Sequence, residues 1–139
     1  MKRAGASLAE LSGQPLTRPS EFRSGLIDQW EAAWIKPVNQ LTCEEVLCLF
    51  SQGSGLPWLA DPIAEFVESY PDAETAFYPG DMTIEALRQF DRLKEADARA
   101  ARRIELLDLT GLIESAFSFS RPLRREAESL YEAIKSQCA

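Results

Sequence analysis

The sequence predicts an all-α protein, folded as a single compact domain of five to seven helices. Apolar residues recur at helical spacing in several segments, and no segment alternates apolar and polar residues convincingly over the length of a strand. Proline, glycine and helix-capping residues separate these segments. The chain has 139 residues, of which 45% are hydrophobic and 27% charged, which is enough to bury one core without disulfides.

The first segment differs in composition from the rest. Residues 1–19 contain several glycines and prolines and few apolar side chains, so we expect an extended N-terminal arm. Leu8 and Leu11 have the spacing of one helical turn, so this part of the arm can dock as a short turn. Residues 20–139 are expected to form the helical domain.

The first two helices of that domain have recognisable ends. Ser20 with Glu21 opens an amphipathic helical pattern, which Pro37 ends. Thr42 and Glu45 then have the spacing of a capping box, in which each side chain bonds the backbone amide of the other residue. The Gly-Ser-Gly sequence that begins at residue 53 stops this helix.

The next helix has two candidate starting points. Asp61 followed by Pro62 is a good N-cap signal, but the helix can also begin earlier, near Pro57. Pro71 ends it. The turn that follows ends at Asp81, which is predicted to cap the next helix.

The C-terminal part is predicted to be helical throughout. Residues 91–103 favour helix but are thinly apolar, so they form either the solvent-facing part of one long helix or the junction of two. An apolar stripe returns over residues 104–117, and Pro122 opens the final helix.

The negative charge is concentrated in one segment. The net charge is −7, and no lysine or arginine lies between Lys36 and Arg88. This segment carries nine carboxylates: Glu44, Glu45, Asp61, Glu65, Glu68, Asp72, Glu74, Asp81 and Glu85. A negative field repels nucleic acid and anionic lipid and attracts a basic protein surface. The alternative interpretation is a solvated face that maintains solubility.

The side chains offer little for catalysis. The chain has no histidine, so a serine or cysteine nucleophile lacks its usual base, and we predict no enzyme, catalytic residue, metal or cofactor. Cys43, Cys48 and Cys138 lack the spacing of a disulfide framework or a zinc site, which favours a reducing compartment and therefore the cytoplasm. An enzyme with a carboxylate-bound metal is a distant alternative.

Two phrases carry a family resemblance. Residues 36–46 read KPVNQLTCEEV and run on to QGSGLPWL at residues 52–59, and residues 77–81 read FYPGD. In order and spacing these resemble the CdiI-type immunity family of contact-dependent growth inhibition systems. The chain departs from that pattern at Trp58, where tyrosine is common, and at Asp61, where an apolar residue is usual.

The resemblance implies a non-enzymatic antidote. Such a protein binds the C-terminal toxin domain of its cognate CdiA-type effector, in a one-to-one complex in the cytoplasm, and covers the toxin's active site. Toxins of this kind are often nucleases such as RNases or tRNases, whose clefts are basic, and an acidic surface complements such a cleft. We expect no nucleic acid or membrane partner. The expected toxin-binding residues are Asp61, Glu65, Glu68, Asp72, Glu74, Asp81 and Glu85, with Tyr78 as an aromatic anchor.

The remaining motif residues are interpreted as structural. Thr42 and Glu45 cap a helix, Gly55 and Gly80 permit turns, and a further group packs in the core: Leu56, Trp58 and Phe77. The main alternative function is a helical adaptor or regulator unconnected with toxins, which can dimerise through exposed Trp and Phe side chains.

Overall fold

The computed structural model describes residues 5–14 and 25–137, and for residues 25–27 the backbone alone. These ranges contain nine α-helices: α1 (Leu8–Ser12), α2 (Gly25–Ile35), α3 (Cys43–Ser51), α4 (Leu56–Ser69), α5 (Asp81–Arg88), α6 (Phe90–Ala96), α7 (Ala98–Glu105), α8 (Thr110–Ala116) and α9 (Arg121–Gln137). They contain no strand, only two isolated β-bridges. The all-α prediction is confirmed, although the helix count exceeds five to seven.

The additional helices arise from two breaks in the C-terminal half. Gln89 leaves helical geometry, with φ −105° and ψ 21°, and separates α5 from α6. Asp97 is extended, and its side chain accepts hydrogen bonds from the amides of Arg99 and Ala100 as the N-cap of α7. Residues 91–103 are therefore the junction of two helices.

The described part of the N-terminal arm packs on the domain. Leu8 is fully buried, and the Val38 amide donates to the Ala6 carbonyl at 2.9 Å. The indole N–H of Trp34 donates to the Gln14 carbonyl at 2.7 Å. The predicted short docked turn is confirmed as α1, whereas the boundary at residue 19 and the helix start at Ser20 lie outside the described residues.

The helix α3 begins as its capping box predicts. The Glu45 amide donates to the Thr42 hydroxyl at 3.1 Å, and the Thr42 amide donates to the Glu45 carboxylate at 2.9 Å. Lys36 Nζ also lies 3.0 Å from this carboxylate. These bonds keep the pKa of Glu45 below its ordinary value, although burial acts in the opposite direction.

The start of α4 follows the second of the two predicted alternatives. Gly55 precedes the helix with φ 72°, and Pro57 occupies its first turn. Asp61 is therefore not an N-cap, and Pro62 lies inside the helix. Because Asp61 falls in the second turn, its carboxylate projects from the helix surface instead of bonding the first amides.

The helix α4 is the centre of the molecule. It packs against α3, α5, α6 and α7, while α2 packs on α3 and α5 on α9. One face of α4 is completely buried, including Leu59, Ile63 and Val67. The opposite face lies toward solvent, and the loop of residues 70–80 extends from its C-terminal end. Within the described ranges, no helix has both the length and the apolar character that a membrane span requires.

Candidate functional site

Three of the predicted contact residues lie together on α4. Asp61, Glu65 and Glu68 are spaced four and three residues apart, which places them on one helix face. Arg103 of α7 lies against this face, with Nη1 2.5 Å from Asp61 Oδ1 and Nε donating to Glu68 Oε1 at 2.7 Å. The hydrogen bond to Glu68 is the main cause of the raised pKa of Arg103. Among the described residues, Arg103 pairs with two of these three carboxylates, Asp61 and Glu68.

Two further predicted residues lie in the 70–80 loop. Asp72 and Glu74 are exposed. The loop turns back on itself, since the Gly80 amide donates to the Ala73 carbonyl at 3.0 Å and Glu74 forms a β-bridge with Pro79. We name five carboxylates of α4 and this loop the acidic surface: the exposed Glu65, Glu68, Asp72 and Glu74, and the half-buried Asp61.

Asp81 differs from these five because it is buried, with 3% of its surface exposed. Its carboxylate accepts hydrogen bonds from the amides of Thr75, Ala76 and Phe77, at 3.0, 2.8 and 2.9 Å, and from the Met82 amide at 2.9 Å. Burial raises the pKa of Asp81, but the amide bonds outweigh it and hold the pKa below its ordinary value.

Both predictions for Asp81 therefore need correction. The N-cap position of α5 belongs to Gly80, with φ 81°, and the Asp81 side chain instead bonds the loop that precedes the helix. A carboxylate that is enclosed by its own chain and accepts four amides has no surface to offer a partner. Asp81 is a structural residue that fixes the shape of the 70–80 loop.

Other contacts hold the two ends of the loop. The Thr83 hydroxyl is buried and donates to the Pro71 carbonyl at 2.7 Å. At the other end, a Cβ on Gly80 would lie only 3.0 Å from the Phe117 ring, so the backbone packs directly on α8's C-terminal end. Hydrogen bonds therefore hold the start and the middle of the loop, and packing on Phe117 holds its end.

The two aromatic residues of the FYPGD motif, Phe77 and Tyr78, differ in how far they are exposed. Phe77 was expected to pack, but 75% of its surface is exposed. Tyr78, the predicted aromatic anchor, is half-buried, with its ring 5.8 Å from that of Phe119. The Phe77 amide donates to Asp81 at 2.9 Å, while the Phe77 side chain lies in solvent. Burial is also the main cause of the raised pKa of Tyr78.

Glu85, the last predicted contact residue, belongs to a different cluster. It is half-buried, and it accepts from the Gln89 side chain at 2.7 Å and from Arg88 at 3.3 Å. Arg88 also bonds Glu126 of α9, at 2.8 and 2.9 Å. These bonds raise the pKa of Arg88 and lower that of Glu126. Glu85 therefore takes part in the contact between α5 and α9.

Sequence reasoning missed Arg103 and two exposed aromatic residues. Arg103 lies 42 residues from Asp61, so no local pattern indicates their pairing. Tyr70 is 62% exposed at the start of the 70–80 loop, close to the acidic residues of α4. Its ring lies 5.8 Å from the partly buried Phe66, so it stands over the end of α4. The FYPGD motif contains Phe77, but Phe77 was expected to pack in the core.

The two described cysteines, Cys43 and Cys48, are free thiols. Cys43 is exposed and Cys48 is half-buried, with a pKa that burial raises; Cys138 lies outside the described residues. In the described ranges, no group of three or more Cys, Asp and Glu side chains is arranged to hold a metal ion.

Comparisons with known proteins identify no relative of this chain. No protein-family model matches the chain. No curated protein matches it. No solved structure matches it.

Proposed function

We propose that this protein is an immunity protein that binds a cognate toxin domain of a contact-dependent growth inhibition system and blocks its active site. It acts in the cytoplasm as a one-to-one partner and catalyses no reaction itself. The observation that carries the proposal is the acidic surface, which lies beside two exposed aromatic side chains, Tyr70 and Phe77, on a loop bonded along its length. The resemblance of residues 36–81 to the CdiI-type family points to the same function.

The acidic surface is suited to a basic cleft. A nuclease must hold phosphates, so its active site carries lysine and arginine side chains. Carboxylates on an inhibitor attract such a cleft at long range and raise the association rate. They also discriminate against partners of the wrong charge.

The exposed aromatic residues supply the short-range part of the interaction. Interfaces gain most of their affinity from a few buried aromatic or arginine side chains. Phe77 is presented on a backbone that Asp81 already holds in one shape. The protein therefore loses little conformational freedom when it binds, which lowers the cost of association.

Co-expression tests the proposal. The toxin domain encoded beside this gene is expressed from an inducible promoter, with and without this protein, and growth and co-purification are measured. We expect growth arrest without the protein, survival with it, and a one-to-one complex by light scattering. Arrest in both cases, with no complex formed, would contradict the proposal. A homodimer that does not bind the toxin domain would favour the adaptor alternative.

A further inference from the structure

A groove lies between α3, α4 and α5, next to the acidic surface. Its volume is about 350 Å³. The lining residues come from all three helices and from the residue after α4: Cys43, Val46, Pro62, Ile63, Glu65, Phe66, Ser69, Tyr70 and Met82. We name it the α3–α4 groove.

Buried apolar side chains form the floor of the groove, and Pro62, Phe66 and Tyr70 contribute accessible apolar surface to it. Val46, Ile63 and Met82 belong to the buried core, and Phe66 packs against it. The volume lies at the lower end of the range for ligand pockets, and it suits one large side chain with its immediate neighbours. Such a groove gains binding free energy from the apolar surface it removes from water.

The rim of the groove is negative. Glu65 is exposed at the edge, and the described residues that line the groove include no lysine or arginine. The C-terminal end of α4 also opens here, at Ser69 and Tyr70, and the last turn of that helix has no basic residue. A helix C-terminus carries partial negative charge, so it adds to the preference for a cation.

We infer that the α3–α4 groove receives an apolar side chain of the partner protein that is flanked by lysine or arginine. The apolar side chain enters between Val46 and Phe66, and the cationic neighbour pairs with Glu65 and the end of α4. Glu65 belongs to both the groove and the acidic surface, and Tyr70 begins the 70–80 loop, so the two regions form one continuous contact. This inference rests on the proposed function and adds the site that provides specificity.

A groove-filling variant tests this inference. Cys43 is exposed at the groove wall, so Cys43→Phe places a ring in the groove from a position outside the core. Cys43→Ser keeps the size of the side chain. Ser51→Phe adds the same ring at the exposed other end of α3, which does not line the groove. Each variant is first compared with the wild type by thermal melting.

The equilibrium dissociation constant for the toxin domain is then measured. We expect Cys43→Phe to weaken binding at least thirtyfold, and Cys43→Ser and Ser51→Phe to change it less than threefold. If the wild type binds and Cys43→Phe binds equally well, the groove inference is wrong while the proposed function stands. If Cys43→Phe does not fold, a chemical modification takes its place. The folded Cys48→Ser/Cys138→Ser protein is alkylated at Cys43 with N-phenylmaleimide, and we again expect binding to weaken at least thirtyfold.

A second probe does not depend on the toxin. Random twelve-residue peptides displayed on phage are selected on the full wild-type chain. We expect enriched sequences in which Leu, Met or an aromatic residue lies within two positions of Lys or Arg, and loss of their binding to Cys43→Phe protein. If such peptides are enriched but the protein forms no complex with the toxin domain, the groove inference is supported and the proposed function is contradicted. No enrichment, or enrichment of acidic peptides, would overturn the groove inference.

Discussion

At the scale of single residues, Asp81 does more for the candidate site than any exposed carboxylate. Its two oxygens accept hydrogen bonds from four backbone amides, three from consecutive loop residues and one from α5. Each of those amides would otherwise lack a partner in a partly buried turn, and an unsatisfied buried donor costs about 1–3 kcal/mol.

We predict that Asp81→Asn lowers the free energy of unfolding by about 2–3 kcal/mol, because the new amide group presents a donor to amides that are themselves donors. Denaturation in urea measures the change. Asp72→Asn is the matched control in the same loop, and because Asp72 is exposed we expect a change within about 0.5 kcal/mol. Equal effects from the two variants would contradict the structural role of Asp81.

The stabilisation by Asp81 depends on pH. Its folded-state pKa is lowered, so the ionised carboxylate stabilises the fold above the unfolded pKa of about 4, and this contribution disappears as pH falls through the folded value. We therefore expect the stability difference between wild type and Asp81→Asn to be constant above about pH 5 and to shrink below pH 4. Urea denaturation at pH 7, 5, 4 and 3 measures it. A difference that grows on acidification would contradict this sign.

Phe77 provides the residue-scale prediction for binding. Phe77→Ala should weaken the toxin complex about tenfold or more while leaving the melting temperature unchanged, because the side chain is exposed in the free protein. Leu106→Ala is the matched control, since Leu106 is 66% exposed at the end of α7. We expect it to alter the dissociation constant by less than twofold. Equal effects would show that Phe77 is not at the interface.

At the scale of helices and loops, features encoded within a few residues were predictable. The capping box at Thr42, the end of α3 at the Gly-Ser-Gly sequence and the docked turn at Leu8 all depend on local chemistry. The break at Gln89 was not predictable in this way. Its side chain donates to the Phe50 carbonyl at 2.6 Å, a contact across 39 residues that no local pattern contains.

The same distinction explains which part of the site was predictable. The FYPGD phrase correctly indicated a turn before α5, because proline and glycine act through their own backbone conformation. Which aromatic side chain of this phrase packs inward depends on where Asp81 and Phe119 lie in the folded chain. Sequence alone therefore located the loop but wrongly placed Phe77 in the core.

Gly80 gives a prediction at this scale. Gly80→Ala should destabilise the protein by about 1–2 kcal/mol, because φ is 81° and the added Cβ would meet the Phe117 ring at 3.0 Å. Gly111→Ala is the contrasting variant, since it lies in α8 with open space around it, and it should stabilise by up to about 1 kcal/mol. Thermal melting of both variants measures this. Stabilisation by Gly80→Ala would contradict the described packing.

At the scale of the whole molecule, the acidic segment is less isolated in space than it is in sequence. Lys36, Arg88 and Arg103 lie outside residues 37–87, yet each pairs with a carboxylate inside it. Glu45, Asp81 and Glu85 take part in contacts that hold the fold, whereas Asp61 and Glu68 pair with Arg103 at the surface of α4. Five of the nine carboxylates, on α4 and the 70–80 loop, remain as the acidic surface, so the predicted charge excess persists but over a smaller region.

The central claim is that this surface steers the protein to a basic toxin domain. Its most direct test is the association rate constant of Glu65→Lys/Asp72→Lys/Glu74→Lys protein with the toxin domain, measured by stopped flow at low and high salt. The control, Glu95→Lys/Glu114→Lys/Glu132→Lys, changes the net charge equally at exposed positions on α6, α8 and α9. We expect the association rate constant of the first variant to be about 10- to 100-fold lower than that of the wild type at low salt, and the difference to shrink as salt screens the charges. The control should lose much less. Equal losses in the two variants, or no loss in the first, would contradict the central claim.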